Sequence, residues 1–268
     1  MRFAKWQGLG NHYIVVSRDD LPAPLTPARA RRLCDPHFGV GGDGILEVSF
    51  EDGVPRMTVW NPDGSHAENC GNGIRMVSRY LDDAGRLPAD GVVMTGAGPV
   101  RVRVRDDELV EVAMGKARFP AGETRENVRV GSLSVDLTEV SMGNPHAIIE
   151  HPAPDEVVRE WGPPLEVAPR FPERTNVEFV RTEGPGEITM RVWERGVGET
   201  LACGTGACAA AVAAVRLGGM PSPVTVHLAG GDLGIAVDDD LEVTMTGPAE
   251  EIYRGELSAA LMRVLEEL

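Results

Sequence analysis

The sequence is poor in basic and in aromatic residues. Its 26 Lys and Arg are outnumbered by 41 Asp and Glu, so the formal net charge is −15. Only six Phe, four Trp and three Tyr occur in 268 residues. An acidic surface repels phosphate backbones and anionic lipid, and a platform for stacking bases needs aromatic side chains. The composition therefore argues against general binding to nucleic acid or to a membrane surface.

Cysteine is scarce, and long apolar runs are missing. Four cysteines (Cys34, Cys70, Cys203 and Cys208) are too few for a disulfide framework at this length, and no pair of histidines lies near them to complete a zinc site. The longest uncharged apolar tract, 200–215, is rich in Gly and Ala and too short to span a membrane. The first residues lack the apolar core of a signal peptide. We therefore expect a cytoplasmic protein with reduced thiols, no metal and no membrane partner.

The chain repeats itself once, at an offset of 133 residues. The paired segments are Val59-Trp60 and Val192-Trp193, Cys70–Gly73 and Cys203–Gly206, Gly10-Asn11 and Gly143-Asn144, Ile14–Val16 and Ala147–Ile149, and Asp43 and Asn176. Several ordered matches at one offset of about half the chain length predict two similar domains that arose by duplication. We expect an N-terminal domain at 1–117, with the closing helix 257–268 packed back on it, and a C-terminal domain at 118–256.

Short β segments outnumber helices and do not alternate with them regularly, which favours an α+β fold. Helices are predicted at 27–34, 71–84, 204–217 and 258–268, and strands at 2–5, 13–17, 45–50, 56–60, 100–105, 109–114, 134–140, 147–150, 176–181, 187–194, 224–227, 234–237 and 242–246. The helix at 204–217 is apolar on all sides up to Arg216, so it is predicted to be buried in the middle of its domain. The helix at 71–84 is predicted to be amphipathic, and Ser258 is the predicted N-cap of the last helix.

Each copy carries Cys-Gly-x-Gly where a helix is predicted to begin. The N–H groups of a first helical turn have no partner within the helix, and together with the helix dipole they stabilise negative charge. Such a position is expected to lower the pKa of a thiol and to bind a carboxylate or phosphate. A single Cys-Gly-x-Gly is more often a packing cysteine beside a turn. Its recurrence in both copies favours a functional role for Cys70 and Cys203.

Two equivalent thiols suit a reaction that inverts a stereocentre. A base removes a proton from one face of a carbon and an acid returns one to the other face, and a thiolate and a thiol supply both groups. If the two thiols share a substrate carbon, oxidation is expected to join them in a disulfide. Two alternatives stay open: a cysteine hydrolase or transferase with Cys203 as nucleophile and His146 as base, and a non-catalytic anion-binding protein. The first needs only one thiol and leaves the repeat unexplained.

Several segments resemble the signatures of diaminopimelate epimerases. These are Asn61–Ser65 with Cys70–Arg75, the block Arg191–Cys208 (matched nearly residue for residue), Gly8–Asn11 and Ser141–His146. The resemblance spans about residues 5 to 210. It implies a cofactor-independent isomerase that interconverts LL- and meso-diaminopimelate in lysine and peptidoglycan biosynthesis. It also implies a homodimer and an α+β fold with two pseudo-symmetric domains of mixed β-sheet, each wrapped around a central helix.

The resemblance also implies roles for individual residues. Cys70 and Cys203 are the acid–base pair, and His146 and Glu194 lie near the thiols and modulate their pKa. The implied substrate contacts are Asn11, Asn61, Gly71, Asn72, Asn144, Asn176, Glu194, Arg195, Gly204 and Thr205. Asparagine both donates and accepts hydrogen bonds, a guanidinium pairs with a carboxylate, and a carboxylate accepts from an ammonium group. This set favours a substrate with a distal amino-acid head group over the proline, hydroxyproline or phenazine-precursor substrates of isomerases that share the fold.

The chain departs from the family pattern at a few positions. His12-Tyr13 stands where members commonly have Asp-Phe, and Gly44 stands where some have a substrate-contacting Gln. Pro62 and Asn69 are variants at positions where the family itself varies.

Other motifs are interpreted as structural. The glycines of 39–44 follow a helix and enter a strand, the reverse of a dinucleotide site, so they predict a turn. Cys34 and Cys208 are predicted to be packing residues, and Trp60 and Trp193 to anchor the core.

Overall fold

The computed structural model describes residues 1–67, 70–89 and 91–268, and the variant position Asn69 lies outside this set. The chain divides into two compact units. The first consists of Met1–Val112 with Pro248–Leu268, and the second of Ala113–Gly247. The sequence predicts a junction after residue 117 and a first domain that includes only 257–268 from the C-terminal end, whereas in the structure the C-terminal segment of the first unit begins at Pro248.

The strands are short and make up most of the regular structure. They are β1 (Arg2–Gly8), β2 (Asn11–Ser17), β3 (Ile45–Glu51), β4 (Val54–Trp60), β5 (His66–Ala67), β6 (Val92–Thr95), β7 (Gly98–Val104), β8 (Val110–Lys116), β9 (Glu126–Val130), β10 (Leu133–Ser141), β11 (Pro145–Glu150), β12 (Asn176–Gly184), β13 (Glu187–Glu194), β14 (Gly198–Thr200), β15 (Val224–Leu228), β16 (Gly231–Val237), β17 (Glu242–Gly247) and β18 (Glu250–Glu256). The helices are α1 (Pro27–Cys34), α2 (Gly71–Asp83), α3 (Asp155–Glu166), α4 (Gly204–Gly218) and α5 (Ala259–Glu266).

The first unit is a mixed sheet. Antiparallel pairings join β18 to β1, β1 to β2, β3 to β4, β4 to β5, β6 to β7 and β7 to β8. Parallel pairings join β2 to β3 and β4 to β6. Strand β18 lies at the edge, and most of its side chains are exposed. Because it lacks an alternating apolar pattern, the sequence analysis did not predict this strand.

The second unit repeats the arrangement strand for strand. Antiparallel pairings join β9 to β10, β10 to β11, β12 to β13, β13 to β14, β15 to β16 and β16 to β17. Parallel pairings join β11 to β12 and β13 to β15. Strand β18 of the first unit therefore corresponds to β9 of the second. The predicted α+β fold with two pseudo-symmetric mixed-sheet domains is confirmed.

The strand registers correct one detail of the repeat. In the first unit Ile14 pairs with Ile45, and in the second its counterpart Ala147 pairs with Val177. The second copy is therefore one residue shorter at this point, so the counterpart of Asn176 is Gly44 and not Asp43. By the same register, Leu46 of β3 corresponds to Glu178 of β12.

In each unit one helix, α2 or α4, packs against several strands of the sheet. Residues 206–213 of α4 are all buried, as its apolar sequence predicted. Helix α2 is amphipathic as predicted, but residues 72–78 are all buried, so its polar side chains are also covered over the first turns. Burial is possible because the polar side chains are satisfied locally: Ser78 donates to the carbonyl oxygen of Ile74, and the Arg75 guanidinium donates to the carbonyl oxygens of Pro248 and Gly71.

Of the remaining helices, the sequence predicted α1 and α5 but not α3. Helix α1 has the predicted bounds, and α5 begins after Ser258, whose hydroxyl accepts from the N–H of Leu261. Helix α3 was missed because Pro163 and Pro164, which normally break helices, lie in its last turn. Within the described residues, no helix is long and apolar enough to span a membrane.

Candidate active site

In the first unit, Cys70 is the N-cap of α2. Its sulfur accepts from the N–H of Gly73 at 3.2 Å, and the side chain is half-buried. The second glycine of the motif is required by packing: a Cβ at position 73 would lie 2.8 Å from Cδ2 of Leu46 and 3.2 Å from the sulfur. The N–H groups of Gly71 and Asn72 precede this bond in the first turn, where a helix offers donors to an external anion.

The phenol of Tyr13 lies beside the Cys70 thiol. The thiol donates to the hydroxyl oxygen of Tyr13 over 3.5 Å. Tyr13 is only 8% exposed. It is the counterpart of His146 in the repeat, and the sequence analysis noted it only as a departure from the family pattern. Its position two residues after Asn11 in β2 was the available signal.

The three predicted asparagines of the first unit occupy different settings. The side-chain oxygen of Asn72 accepts from the buried Arg75 guanidinium at 2.9 Å. Asn61 lies in a tight turn, where its amide donates to the hydroxyl of Ser65 at 2.9 Å. Asn11 is half-buried at the start of β2. Arg75 therefore orients the side chain of Asn72, while the backbone N–H of Asn72 stays at the N-terminus of the helix.

In the second unit, Cys203 is the N-cap of α4 in the same way. Its sulfur accepts from the N–H of Gly206 at 3.4 Å and lies 3.6 Å from the Thr205 hydroxyl. Unlike Cys70, Cys203 is buried, at 7% exposure. A Cβ at position 206 would lie 2.7 Å from Oε1 of Glu178. The Cys-Gly-x-Gly motif thus has the same geometry in both units, but its second glycine packs against a carboxylate, Glu178, only in the second unit.

A chain of polar contacts connects the buried side chains of His146 and Glu178 to Cys203. Nδ1 of His146 lies 2.6 Å from Oε1 of Glu178, and neither side chain is exposed. Nε2 of His146 lies 3.1 Å from the side-chain oxygen of Asn144, whose amide donates to the Thr205 hydroxyl at 3.4 Å. Both ring nitrogens of His146 thus contact groups other than Cys203, which disfavours His146 as the base of a cysteine hydrolase. The sequence did not predict Glu178 as a site residue. The signal available was its position two residues after Asn176, on the same face of a predicted strand.

Glu194 is the second carboxylate beside Cys203. It is hydrogen-bonded to the Thr200 hydroxyl and to the Cys203 side chain. Burial raises the pKa of Glu194, and the neighbouring charge of Glu178 adds to the increase. The sequence analysis expected Glu194 near a thiol, and the structure brings it to Cys203.

Asn176 holds the segment that carries Arg195. Its amide donates to the carbonyl oxygen of Pro145 at 3.0 Å, and its side-chain oxygen accepts from the N–H of Arg195 at 3.0 Å. The Arg195 side chain is exposed, and it donates to the carbonyl oxygen of Glu173. Asn176 therefore positions the backbone beside Arg195, and the exposed guanidinium is the group available to a carboxylate.

The thiol at the mouth of α4 does not have the lowered pKa that the sequence predicted. Burial raises the pKa of Cys203 well above its ordinary value of 9.0, and the charges of Glu194 and Glu178 raise it further. The hydrogen bonds from Thr205 and Gly206 act in the opposite direction but do not prevail. The expectation of a lowered pKa is therefore wrong for Cys203, because desolvation and two carboxylates outweigh the helix terminus.

The structural interpretations of the other motifs fit their surroundings. Cys34 and Cys208 are buried, and burial raises the pKa of Cys34 to about 11. The indole N–H of Trp60 donates to Glu47, and that of Trp193 donates to Glu166, both at 2.9 Å. Each tryptophan packs against the core of its own unit.

Comparisons with known proteins agree with this arrangement. Residues 3–120 and 138–252 match the family described as diaminopimelate epimerase. The chain is 44% identical to the diaminopimelate epimerase of Pelotomaculum thermopropionicum, over 96% of this chain and 98% of the relative. It is also 44% identical to the diaminopimelate epimerase of a Synechococcus species, over 95% of this chain and 97% of the relative.

Among solved structures, a phenazine biosynthesis protein of the PhzF family from Bacillus anthracis has the same fold. Its TM-score is 0.70 at 16% identity, with 96% of this chain and 99% of that chain covered. Together with the extensive sequence matches, the duplicated fold and its two capping cysteines lead to one conclusion: the chain belongs to the diaminopimelate epimerase family.

Proposed function

We propose that the protein is a cofactor-independent epimerase that interconverts LL- and meso-diaminopimelate in lysine and peptidoglycan biosynthesis. The observation that carries the proposal is the recurrence of a helix-capping cysteine, Cys70 in one unit and Cys203 in the other, at corresponding places of a duplicated fold. The relatives that bear the name diaminopimelate epimerase support the choice of substrate.

The proposed mechanism uses the two thiols as an acid–base pair. One cysteine, as the thiolate, takes the proton from one face of the α-carbon. The other cysteine, as the thiol, gives a proton to the opposite face, so the configuration inverts and the two cysteines exchange protonation states. The reverse reaction uses them in the opposite order. Neither oxidation nor a change in net composition occurs.

The residues around the thiols are proposed to hold the reacting head group. The N–H groups of Gly71, Asn72, Gly204 and Thr205 lie in the first turns of α2 and α4, where helix termini stabilise a carboxylate and the charge that develops at the α-carbon. His146 and Glu194 are proposed to adjust the pKa of the thiols, with Glu194 hydrogen-bonded to Cys203.

The remaining predicted contacts are proposed to orient the substrate and its distal head group. Arg195 suits a carboxylate because its guanidinium is exposed and forked, and Glu194 suits an ammonium group. The side chains of Asn11, Asn61 and Asn144 can each donate and accept. Asn176 contributes by fixing the backbone at Arg195.

The experiment is incubation with LL-diaminopimelate in D2O. The expected results are formation of the meso isomer and incorporation of one solvent deuterium at the α-carbon for each turnover. Cys70→Ala and Cys203→Ala should each abolish epimerisation, while Cys208→Ala, a matched loss of a buried thiol, should retain it. A variant that keeps normal turnover without Cys70 or without Cys203 would refute the two-base mechanism. Inversion of proline or hydroxyproline in place of diaminopimelate would refute the substrate.

We further propose that the enzyme is a cytoplasmic homodimer, as the family resemblance implies. Sedimentation equilibrium should give twice the mass of one 28.7 kDa chain. A monomer mass at micromolar concentration would contradict the dimer.

A further inference from the structure

The ring of Tyr13 occupies the space that a side chain at position 44 would need. A Cβ at position 44 would lie 2.7 Å from Cε1 of Tyr13 and 2.5 Å from the carbonyl oxygen of Trp60. Those distances are too short for any carbon atom, so the tyrosine ring in this position requires glycine at 44. The two positions are therefore coupled by packing, and together they determine what lies beside Cys70.

The second unit has different residues at the two corresponding positions. The counterpart of Gly44 is Asn176, which carries a side chain, and the counterpart of Tyr13 is His146, whose ring contacts Glu178 and Asn144. The first unit has Leu46 in place of Glu178, so its thiol has an apolar side chain where Cys203 has a buried carboxylate. Among the described residues, the side-chain polar group that contacts Cys70 is the Tyr13 hydroxyl, 3.5 Å from the sulfur.

We propose that Tyr13 is a positioning residue for Cys70: its hydroxyl holds the sulfur at the mouth of α2 and donates a hydrogen bond to the thiolate. This inference rests on the proposed function, in which Cys70 is the thiolate in one direction of the reaction. While Cys70 is a thiol, it donates to the Tyr13 hydroxyl over 3.5 Å. After Cys70 loses its proton, the hydroxyl rotates and donates in turn, while the phenol keeps its own proton throughout.

A hydrogen bond to the charged form favours that form. Within the described part of the chain, the hydrogen bonds to the Cys70 thiolate then include those from the N–H of Gly73 and from the Tyr13 hydroxyl. Five described titratable groups on the elements around Cys70 have contacts elsewhere: Arg75 contacts Asn72, Lys5 contacts Gly41, His12 contacts Asp43, Glu47 contacts Trp60, and His66 stacks on Trp60. Removal of the hydroxyl leaves all of them in place.

The test is Tyr13→Phe, with iodoacetamide alkylation of each cysteine followed by peptide mass spectrometry from pH 6 to 11. Because alkylation consumes the thiolate, the rate for Cys70 should fall roughly three- to tenfold at neutral pH, with its titration midpoint moved to higher pH. The Cys203 profile should not move. The matched control is Tyr253→Phe, which removes an exposed phenol on β18 and should change neither profile.

An unchanged Cys70 profile in Tyr13→Phe would overturn the inference, and so would equal shifts at Cys70 and Cys203, which would indicate a general loss of structure. The thermal midpoint of unfolding monitors that second outcome. Alkylation needs no substrate, so this test is independent of the proposed reaction. A protein that fails to epimerise diaminopimelate but shows the selective Cys70 shift would refute the proposed function and leave the hydrogen bond established.

A second readout links the bond to turnover. In Tyr13→Phe the limb of the pH–rate profile that reports the thiolate should move to higher pH, with KM changed less than kcat. A change confined to KM would assign Tyr13 to substrate binding and overturn the positioning role.

Discussion

Oε1 of Glu178 lies 2.6 Å from Nδ1 of His146, and both side chains are completely buried. The corresponding residues of the first unit are Leu46 and Tyr13. The same framework therefore contains a hydrogen-bonded His–Glu pair in one copy and a Tyr and a Leu in the other. Because a buried polar group is costly without its partner, the two members of the His–Glu pair should depend on each other.

This dependence predicts the result of a double-mutant cycle. Glu178→Leu and His146→Leu each remove one partner and leave the polar group of the other buried without it, so each should lower the free energy of unfolding by about 1–3 kcal/mol. The double variant removes both polar groups and should lose much less than the sum. Urea denaturation of the four proteins measures the coupling. Strictly additive losses would mean that the 2.6 Å contact contributes no coupling energy.

The raised pKa of Cys203 predicts how this thiol reacts in the free enzyme. A raised pKa leaves a smaller fraction of thiolate at a given pH, so alkylation of Cys203 should be slow at neutral pH and accelerate only above pH 9. Glu194→Gln removes a neighbouring negative charge and should lower the pKa of Cys203, with faster alkylation at every pH below the midpoint.

The control for this effect is Glu187→Gln, an exposed carboxylate on the same strand β13. It should leave the Cys203 profile unchanged. If Glu194→Gln slows alkylation, the charge of Glu194 does not raise the pKa of Cys203, contrary to the direction argued above.

The second glycine of each motif makes a further prediction, about stability. Alanine is normally the better helix former by about 1 kcal/mol. At position 206, however, the new Cβ would lie 2.7 Å from the Glu178 carboxylate, which cannot retreat because it is bound to His146. Gly206→Ala should therefore destabilise the protein by about 1–3 kcal/mol.

Gly218→Ala is the matched control, since it lies in the same helix and its Cβ would meet nothing within 4 Å. It should be neutral or stabilise the protein by up to about 1 kcal/mol. Thermal or urea unfolding distinguishes the two variants. Equal effects at 206 and 218 would contradict the packing argument.

The sequence predicted the parts of this protein that depend on repetition and local chemistry. The 133-residue offset and the Cys-Gly-x-Gly pattern led to the duplicated fold and to both helix-capping thiols, because capping is a local property of a few residues. It did not predict Glu178 or the contact of Tyr13 with Cys70, since each depends on which residues the parallel strands bring opposite each other. The direction of the Cys203 pKa was wrong because burial is a property of the folded unit and not of the motif.

The two-base proposal makes a last prediction, about oxidation. If Cys70 and Cys203 act on one carbon atom, their sulfurs approach each other once the substrate is absent, and a disulfide needs Cα atoms within about 7 Å. Diamide should then join the two cysteines, abolish epimerisation and spare the buried Cys34, and dithiothreitol should restore activity. Peptide mapping without reduction identifies the bond. Activity that withstands the oxidant would mean that the two sulfurs do not come within bonding distance of each other in the free enzyme, contrary to this prediction.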